Sequence, residues 1–202
     1  MPVSNAAVAM ATDEEQLRAR FWGLLAVLLA APPSAPLMGT LSIIPGDQSE
    51  LGQALADLAA AARTTDLTAA EEEFSTLFIG LSRGELVPFA SYYLTGFLHE
   101  KPLAHLRADM EALGMAVNDN VAEPEDHMAI LAEIMQMLID GSLGAPLNLA
   151  EQKRFFAAHI EPWAGRFFTD LESTPSARFY RPVGTLGRLF LAVEAQAFAM
   201  ID

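Results

Sequence analysis

The chain of 202 residues contains no cysteine. That absence excludes disulfide bonds, thiol catalysis and cysteine-ligated zinc or iron–sulfur sites within this sequence. It agrees with the reducing environment of the cytoplasm. The four histidines are scattered and form neither a His-Glu-x-x-His motif nor paired Glu-x-x-His motifs. We therefore expect no metal and no cofactor.

Basic residues are also scarce, because 12 Lys and Arg stand against 26 Asp and Glu, giving a formal net charge of −14. Phosphate binding needs clustered Lys and Arg, so nucleic acid is excluded as an expected partner. No Gly-x-x-x-x-Gly-Lys-Ser/Thr or Gly-x-Gly-x-x-Gly loop indicates a nucleotide site. Two interpretations of the acidity stay open: it attracts a cationic partner, or it keeps a hydrophobic protein soluble.

A hydrophobic run long enough to cross a membrane is missing as well. Residues 21–31 are uninterrupted apolar, but a bilayer span needs roughly 20 such residues. The run also resembles the core of a signal peptide, yet Asp13, Glu14 and Glu15 precede it where such a peptide carries basic residues. We therefore predict a buried first helix and no stable membrane insertion.

The hydrophobic pattern is helical almost throughout and contains no convincing hairpin signal. It predicts an all-α protein with about eight to ten helices, in which residues 1–202 form a single globular domain. The predicted helices cover residues 14–31, 49–63, 68–79, 91–99, 102–113, 124–140, 148–160, 162–171 and 182–200. Residues 32–48, which contain Pro and Gly, are predicted to form a loop with at most one short turn.

Local signals predict where three of these helices start. Thr68 opens a Thr-Ala-Ala-Glu capping box. Ser91 is expected to cap the short helix that follows a Gly- and Pro-containing loop. Pro124 suits the first position of the helix that ends near Asp140.

Residues 123–127, Glu-Pro-Glu-Asp-His, form an acidic motif inside a span, residues 108–152, with nine acidic residues and no Lys or Arg. Three interpretations stay open. The carboxylates favour a helix N-terminus while His127 packs in the first turn, or the motif binds a partner, or Asp126 and His127 act in catalysis or in a metal site. Ser91 is the one positioned nucleophile for a hydrolase, but it lacks the Gly-x-Ser-x-Gly elbow.

A second candidate is the aromatic stretch of residues 74–80, followed by Val-Pro-Phe-Ala-Ser-Tyr-Tyr at residues 87–93. Such a stretch lines a peptide groove in some proteins, because Tyr combines apolar area with a hydroxyl. Ordinary core packing is the alternative.

In order along the chain, three blocks resemble the TorD/DmsD family of cytoplasmic molybdoenzyme maturation chaperones, which is related to NarJ. The first block is Phe-x-x-Leu-Phe-x-Gly at residues 74–80 with Pro-x-x-Ser-x-Tyr at residues 88–93. The second is Glu-Pro-x-Asp-His at residues 123–127, before an apolar helix. The third is His-x-x-Pro-Trp at residues 159–163, with Phe-Tyr at residues 179–180.

The resemblance implies an all-helical chaperone without enzymatic activity. Such a chaperone binds the twin-arginine signal peptide and the apo form of a molybdenum-cofactor oxidoreductase. It assists cofactor insertion, delays export through the Tat pathway, and is a monomer or a homodimer. The signal-peptide-binding residues carried over are Phe78, Gly80, Pro88, Ser91, Tyr92, Glu123, Asp126 and His127.

We further hypothesise that Asp126 and Glu123 receive the arginines and that Phe78, Tyr92 and Met128 contact the apolar part of the peptide. His127 is expected to add pH dependence near neutrality. The loop at residues 83–85, Arg-Gly-Glu, departs from the family pattern, which is often uncharged there. Two alternatives remain: a general cytosolic protein-interaction module, and a helical hydrolase that uses Asp126 and His127.

Overall fold

A computed structural model describes residues 12–80, 83–115, 123–142 and 144–201. These residues form ten α-helices, and one short π-helical segment, Ser75–Ile79, continues the fourth. The described residues contain no β-strand beyond one isolated bridge, so the all-α prediction is confirmed. The helices are α1 (Asp13–Ala30), α2 (Ala35–Ser42), α3 (Glu50–Thr64), α4 (Leu67–Phe74), α5 (Ala90–Thr95), α6 (Lys101–Ala112), α7 (Met128–Asp140), α8 (Leu149–His159), α9 (Ala164–Ser173) and α10 (Tyr180–Ala199).

The first helix carries the apolar run and is buried, as its sequence predicts. Trp22, Leu25 and Leu28 are fully buried in α1, whereas Val27 on the other side of the helix remains 52% exposed. Helix α1 packs along α7, and α10 packs along α9 and α3. In the described part of the chain, none of the helices combines the length and the apolar character needed to span a bilayer.

Helices α2 and α4 differ from the sequence prediction. The predicted loop at residues 32–48 contains α2, because Ser34 accepts the Leu37 N–H at 3.4 Å and a proline fits its first turn. The predicted capping box at Thr68 is wrong. Asp66 caps α4 by accepting the Ala69 N–H at 2.9 Å, so the helix starts one residue before Thr68.

A buried polar network joins α1 to α10 inside the core. The Glu194 carboxylate, which is 1% exposed, accepts hydrogen bonds from Arg18 Nε at 2.6 Å and from Trp22 Nε1 at 3.1 Å. Arg18 also donates to the side chain of Gln152 on α8 at 3.0 Å. Burying a charge is tolerated only where it is paired and hydrogen-bonded, and this network meets both conditions.

Replacing Glu194 with Ala should lower the free energy of unfolding by about 3–5 kcal/mol, because the buried guanidinium of Arg18 loses its counter-charge. Urea-induced unfolding followed by circular dichroism measures the loss. The matched control is Glu172→Ala, which breaks the more exposed pair with Arg188 and should cost less than about 1 kcal/mol. Equal losses of unfolding free energy in the two variants would contradict the conclusion that burial strengthens the contribution of the Arg18–Glu194 pair.

Candidate functional site

The two sequence motifs meet because the N-termini of α5 and α7 face each other. Phe89 and His127, the residues that precede the two helices, form an isolated antiparallel bridge. The Ala90 N–H donates to the Asp126 carbonyl at 3.0 Å, and the Met128 N–H donates to the Pro88 carbonyl at 2.8 Å. Each helix thus has one of its unpaired N–H groups satisfied by the segment that leads into the other.

Asp126 strengthens this reciprocal capping with its side chain. Its carboxylate Oδ2 accepts the Ser91 N–H at 2.7 Å, and the residue is 1% exposed. The sequence predicted that Ser91 caps α5, and this prediction is wrong. Ser91 lies in the first turn of α5, and an acid 35 residues further along the chain supplies the acceptor. Both helix N-termini favour negative charge at this point.

His127 is the N-cap of α7, so the prediction that Pro124 begins this helix is wrong. Its Nδ1 accepts the Ala129 N–H at 3.1 Å, which places the ring proton of the neutral form on Nε2. Burial lowers the pKa of His127 to about 4, because the charged imidazolium would lose its hydration. The expected pH dependence near neutrality is therefore wrong for His127, which stays neutral there.

The remaining acids of the motif have separate roles. Glu125 is buried and pairs with Arg107 of α6 at 2.8 Å, so it ties α6 to the motif. Glu123 is exposed. The compact acidic surface suggested by the sequence is thus divided between interior and solvent.

The aromatic block lies next to the π-helical segment. Phe78 is half-buried and packs edge-to-face on Phe74 and Tyr180, with ring centroids 5.1 and 5.4 Å apart. Gly80 ends the segment at φ +60°, where a Cβ would clash with the Arg83 carbonyl, so this turn requires glycine. Because π-helical turns are frequent at functional sites, this segment remains a candidate.

The charged loop that departs from the family pattern contacts the tyrosine of the next block. The Arg83 guanidinium lies 5.6 Å from the Tyr92 ring centroid, and its Nη1 donates to the Tyr92 hydroxyl at 3.3 Å. Glu85 accepts a hydrogen bond from Ser176 at 2.7 Å. Tyr92 is half-buried, whereas Met128 is fully buried and offers no surface in this conformation.

Residues of the two joined segments line two clefts, and the acidic residues are divided between these clefts. We call the first the Asp126 cleft; it lies between α5, α6 and α8, has a volume of about 420 Å³, and is lined by Asp126 together with Leu94, His105, Leu106, Asp109 and His159. The second, the α1–α7 groove, has a volume of about 300 Å³ and includes Val27, Glu123, His127, Ile130 and Glu133.

Sequence reasoning missed Asp109, His105 and His159, which line the Asp126 cleft. His159 Nε2 lies 2.7 Å from Asp109 Oδ2, across 50 residues of chain. No motif signals this pair, since the two residues lie in separate helices; His159 belongs to the third block of the family resemblance, but Asp109 belongs to none of the three blocks. Helical periodicity can assign each residue to a face of its own helix, but only the packing of α6 on α8 brings the two faces together.

The geometry does not support the hydrolase alternative. In a Ser-His-Asp triad the imidazole Nδ1–H donates to the carboxylate. In this structure Nδ1 of His127 accepts a backbone N–H instead, and Asp126 Oδ2 accepts from Ser91. Within the described residues, no group of three or more His, Asp or Glu side chains is arranged to hold a metal ion.

Comparison with known proteins supports the resemblance found in the sequence. The chain is 27% identical over 135 residues to the chaperone protein TorD of Vibrio atlanticus, covering 63% of each chain. It is 33% identical over 102 residues to the chaperone protein TorD of Vibrio cholerae, covering 47% of this chain and 46% of that one. The matches thus span less than two thirds of the length of these curated relatives.

A solved structure has a similar fold. A proposed redox enzyme maturation protein from Archaeoglobus fulgidus superimposes with a TM-score of 0.55 and 19% sequence identity, over 94% of this chain and 99% of that one. The model of the nitrate reductase delta subunit family matches residues 44–169. Because this match covers well over half of the 202 residues, the protein belongs to the nitrate reductase delta subunit family.

Proposed function

We propose that this protein is a cytoplasmic chaperone that binds the twin-arginine signal peptide and the apo form of a molybdenum-cofactor oxidoreductase. It holds the precursor for cofactor insertion and delays Tat export until the enzyme has folded. The names of the TorD relatives support a chaperone role. The proposal gives the protein no catalytic step of its own.

One observation carries the proposal: the reciprocal capping of α5 and α7 unites two motifs through contacts between residues that lie 35 or more positions apart in the chain. Residues of the united segment line an acidic cleft and an acidic, apolar groove. A twin-arginine signal has the complementary chemistry, since two guanidiniums precede an apolar stretch.

The α1–α7 groove suits the apolar stretch. Its floor includes the exposed side of Val27 and the half-buried Ile130, and the exposed carboxylates of Glu123 and Glu133 lie at its rim. Helix-in-groove recognition combines such an apolar floor with charges that fix the orientation of the peptide. No Lys or Arg occurs among the described residues that line this groove.

Replacing both arginines of the client's leader peptide with lysine should weaken binding about tenfold or more. Lysine keeps the charge but loses the planar donor fork that matches a carboxylate. The client is first identified as the precursor that copurifies with this protein from its own cells, and isothermal titration calorimetry then compares the two peptides. Equal affinities would contradict twin-arginine recognition and favour the general interaction module.

Replacing Glu123 with Gln should weaken binding of the same leader about two- to fivefold, because an exposed rim charge contributes modestly. The matched control is Asp57→Asn, which removes one exposed carboxylate from α3 and should leave the affinity unchanged. Equal losses of affinity in both variants would show that Glu123 acts only through the overall charge of the protein.

His127 supports the site by capping α7, so its titration should make the free energy of unfolding depend on pH. Its pKa is 6.5 in the unfolded chain and about 4 when folded. The unfolded state therefore binds the proton first, and stability present above pH 6.5 is lost as the pH falls toward 4, by about 3 kcal/mol in total.

The comparison variant is His127→Asn, which retains a good N-cap and does not titrate. Urea unfolding of both proteins between about pH 7 and pH 4.5 measures the difference in their free energies of unfolding. That difference should shift against the wild type by about 2 kcal/mol as the pH falls. A constant difference would show that His127 is accessible to protonation in the folded protein.

A further inference from the structure

Helix α6 is joined to the rest of the protein by little buried surface. Three of its twelve residues are buried, namely Leu103, Leu106 and Met110, whereas α7 buries eight of its thirteen residues. Their spacing of three and four residues places them on one narrow stripe of the helix. Because an element that buries few apolar side chains separates locally at low cost in free energy, α6 is suited to move as a unit.

Two clefts lie between α6 and α8. The Asp126 cleft, of about 420 Å³, has Asp109 of α6 and His159 of α8 in its lining. A second cleft, of about 290 Å³, is lined by Asp109 and Ala112 of α6 and by Phe155 of α8. Closely packed helices interdigitate their side chains and leave few voids. Motion of α6 away from α8 therefore breaks little packing along these clefts.

Two side-chain pairs hold α6 in its position. Arg107 Nη2 lies 2.8 Å from Glu125 Oε2 in the segment before α7, and Asp109 Oδ2 lies 2.7 Å from His159 Nε2 of α8. The α6 member of each pair is well exposed, at 50% for the Arg107 side chain and 59% for the Asp109 side chain. Exposed charges exchange a protein partner for water at little cost in free energy, so both pairs can release without unfolding the core.

The two ends of α6 are flanked by residues with left-handed backbone conformations. Gly96 and His99 precede the helix with φ of +85° and +60°, and Gly114 follows it with φ of +74°. His99 is the one residue other than glycine with a positive φ among the described residues, and a Cβ makes this conformation unfavourable. Hinges are commonly a few residues at the ends of an element that absorb changes in φ and ψ. The flanking residues of α6 meet this description.

We propose that α6 is a lid over the Asp126 cleft, which opens about its two ends when the Arg107–Glu125 and Asp109–His159 pairs release. Five of the residues that line the cleft belong to α6. Asp126 itself is 1% exposed, and its Oδ1 has no hydrogen-bond partner among the residues that the structure describes. Opening lets water reach this oxygen, and its hydration offsets part of the cost of separating α6 from the core.

The lid determines access to the cleft whatever the ligand is, so the inference goes beyond the proposed function and its tests need no client. The first test uses a thiol inside the cleft, because the chain has no cysteine of its own. Ala90 lines the cleft and is 4% exposed, so the thiol introduced by Ala90→Cys is reached by a reagent only when the lid opens.

The rate of reaction of this thiol with dithionitrobenzoate is compared in three backgrounds. Adding Asp109→Ala removes the pair with His159, so we expect the rate to rise about two- to fivefold. The matched control, Glu111→Ala, removes another exposed acid from the same helix and should leave the rate unchanged. An unchanged rate with Asp109→Ala, or equal increases with both variants, would overturn the lid.

A second thiol position separates local opening from global unfolding. Ala62 belongs to α3, is similarly buried at 8% exposed and does not line the cleft. The reaction rate of Ala62→Cys should therefore not respond to Asp109→Ala. Equal acceleration of the thiols at positions 90 and 62 would show that Asp109→Ala acts on global stability, and this result would also overturn the lid.

Amide hydrogen exchange measures the same motion without a thiol, and it decides the question if Ala90→Cys does not fold. We expect the amides of residues 106–110 in α6 to exchange faster than those of residues 131–138 in α7. Asp109→Ala should accelerate exchange in α6 about two- to fivefold and leave α7 unchanged. Equal protection of the two helices, or equal acceleration of both, would contradict a lid that opens by itself.

Discussion

The candidate site depends on the reciprocal capping of the N-termini of α5 and α7, which lie next to each other in space. Backbone N–H groups at the start of a helix must find acceptors, and here each helix finds one in the segment before the other. Pro88 accepts from Met128, and Asp126 accepts from Ala90 and Ser91. These bonds fix the loop before α5 against the acidic motif.

Burial changes what the acidic motif can do. The sequence suggests an exposed negative patch, but Asp126 and His127 are interior, and Glu125 is neutralised by Arg107. In the buried Arg18–Glu194 pair, the carboxylate of Glu194 accepts hydrogen bonds from the side chains of Arg18 and Trp22. Asp126 differs because its Oδ1 has no hydrogen-bond partner among the residues that the structure describes.

Much of the fold could be predicted because its signals are local. The apolar run of α1 and the start of a helix at Asn148 are signals carried by residues close together in the chain, and both are present in the structure. Helix α2 was missed, since a short Pro- and Gly-containing segment is helical here through its Ser34 cap and the packing of Met38 and Leu41 in the core. Local propensity cannot report that burial, which belongs to the tertiary structure.

The sequence by itself determined the helical class, the excess of negative charge and the residue types of both motifs, because composition and periodicity are properties of the chain alone. Only the tertiary structure decided which acids are exposed, which nitrogen of His127 caps α7, and that Asp109 and His159 meet beside Asp126. The reason is physical. Solvation and hydrogen-bond partners depend on neighbours 35 or 50 residues away, and the chain chooses these neighbours only when its helices pack.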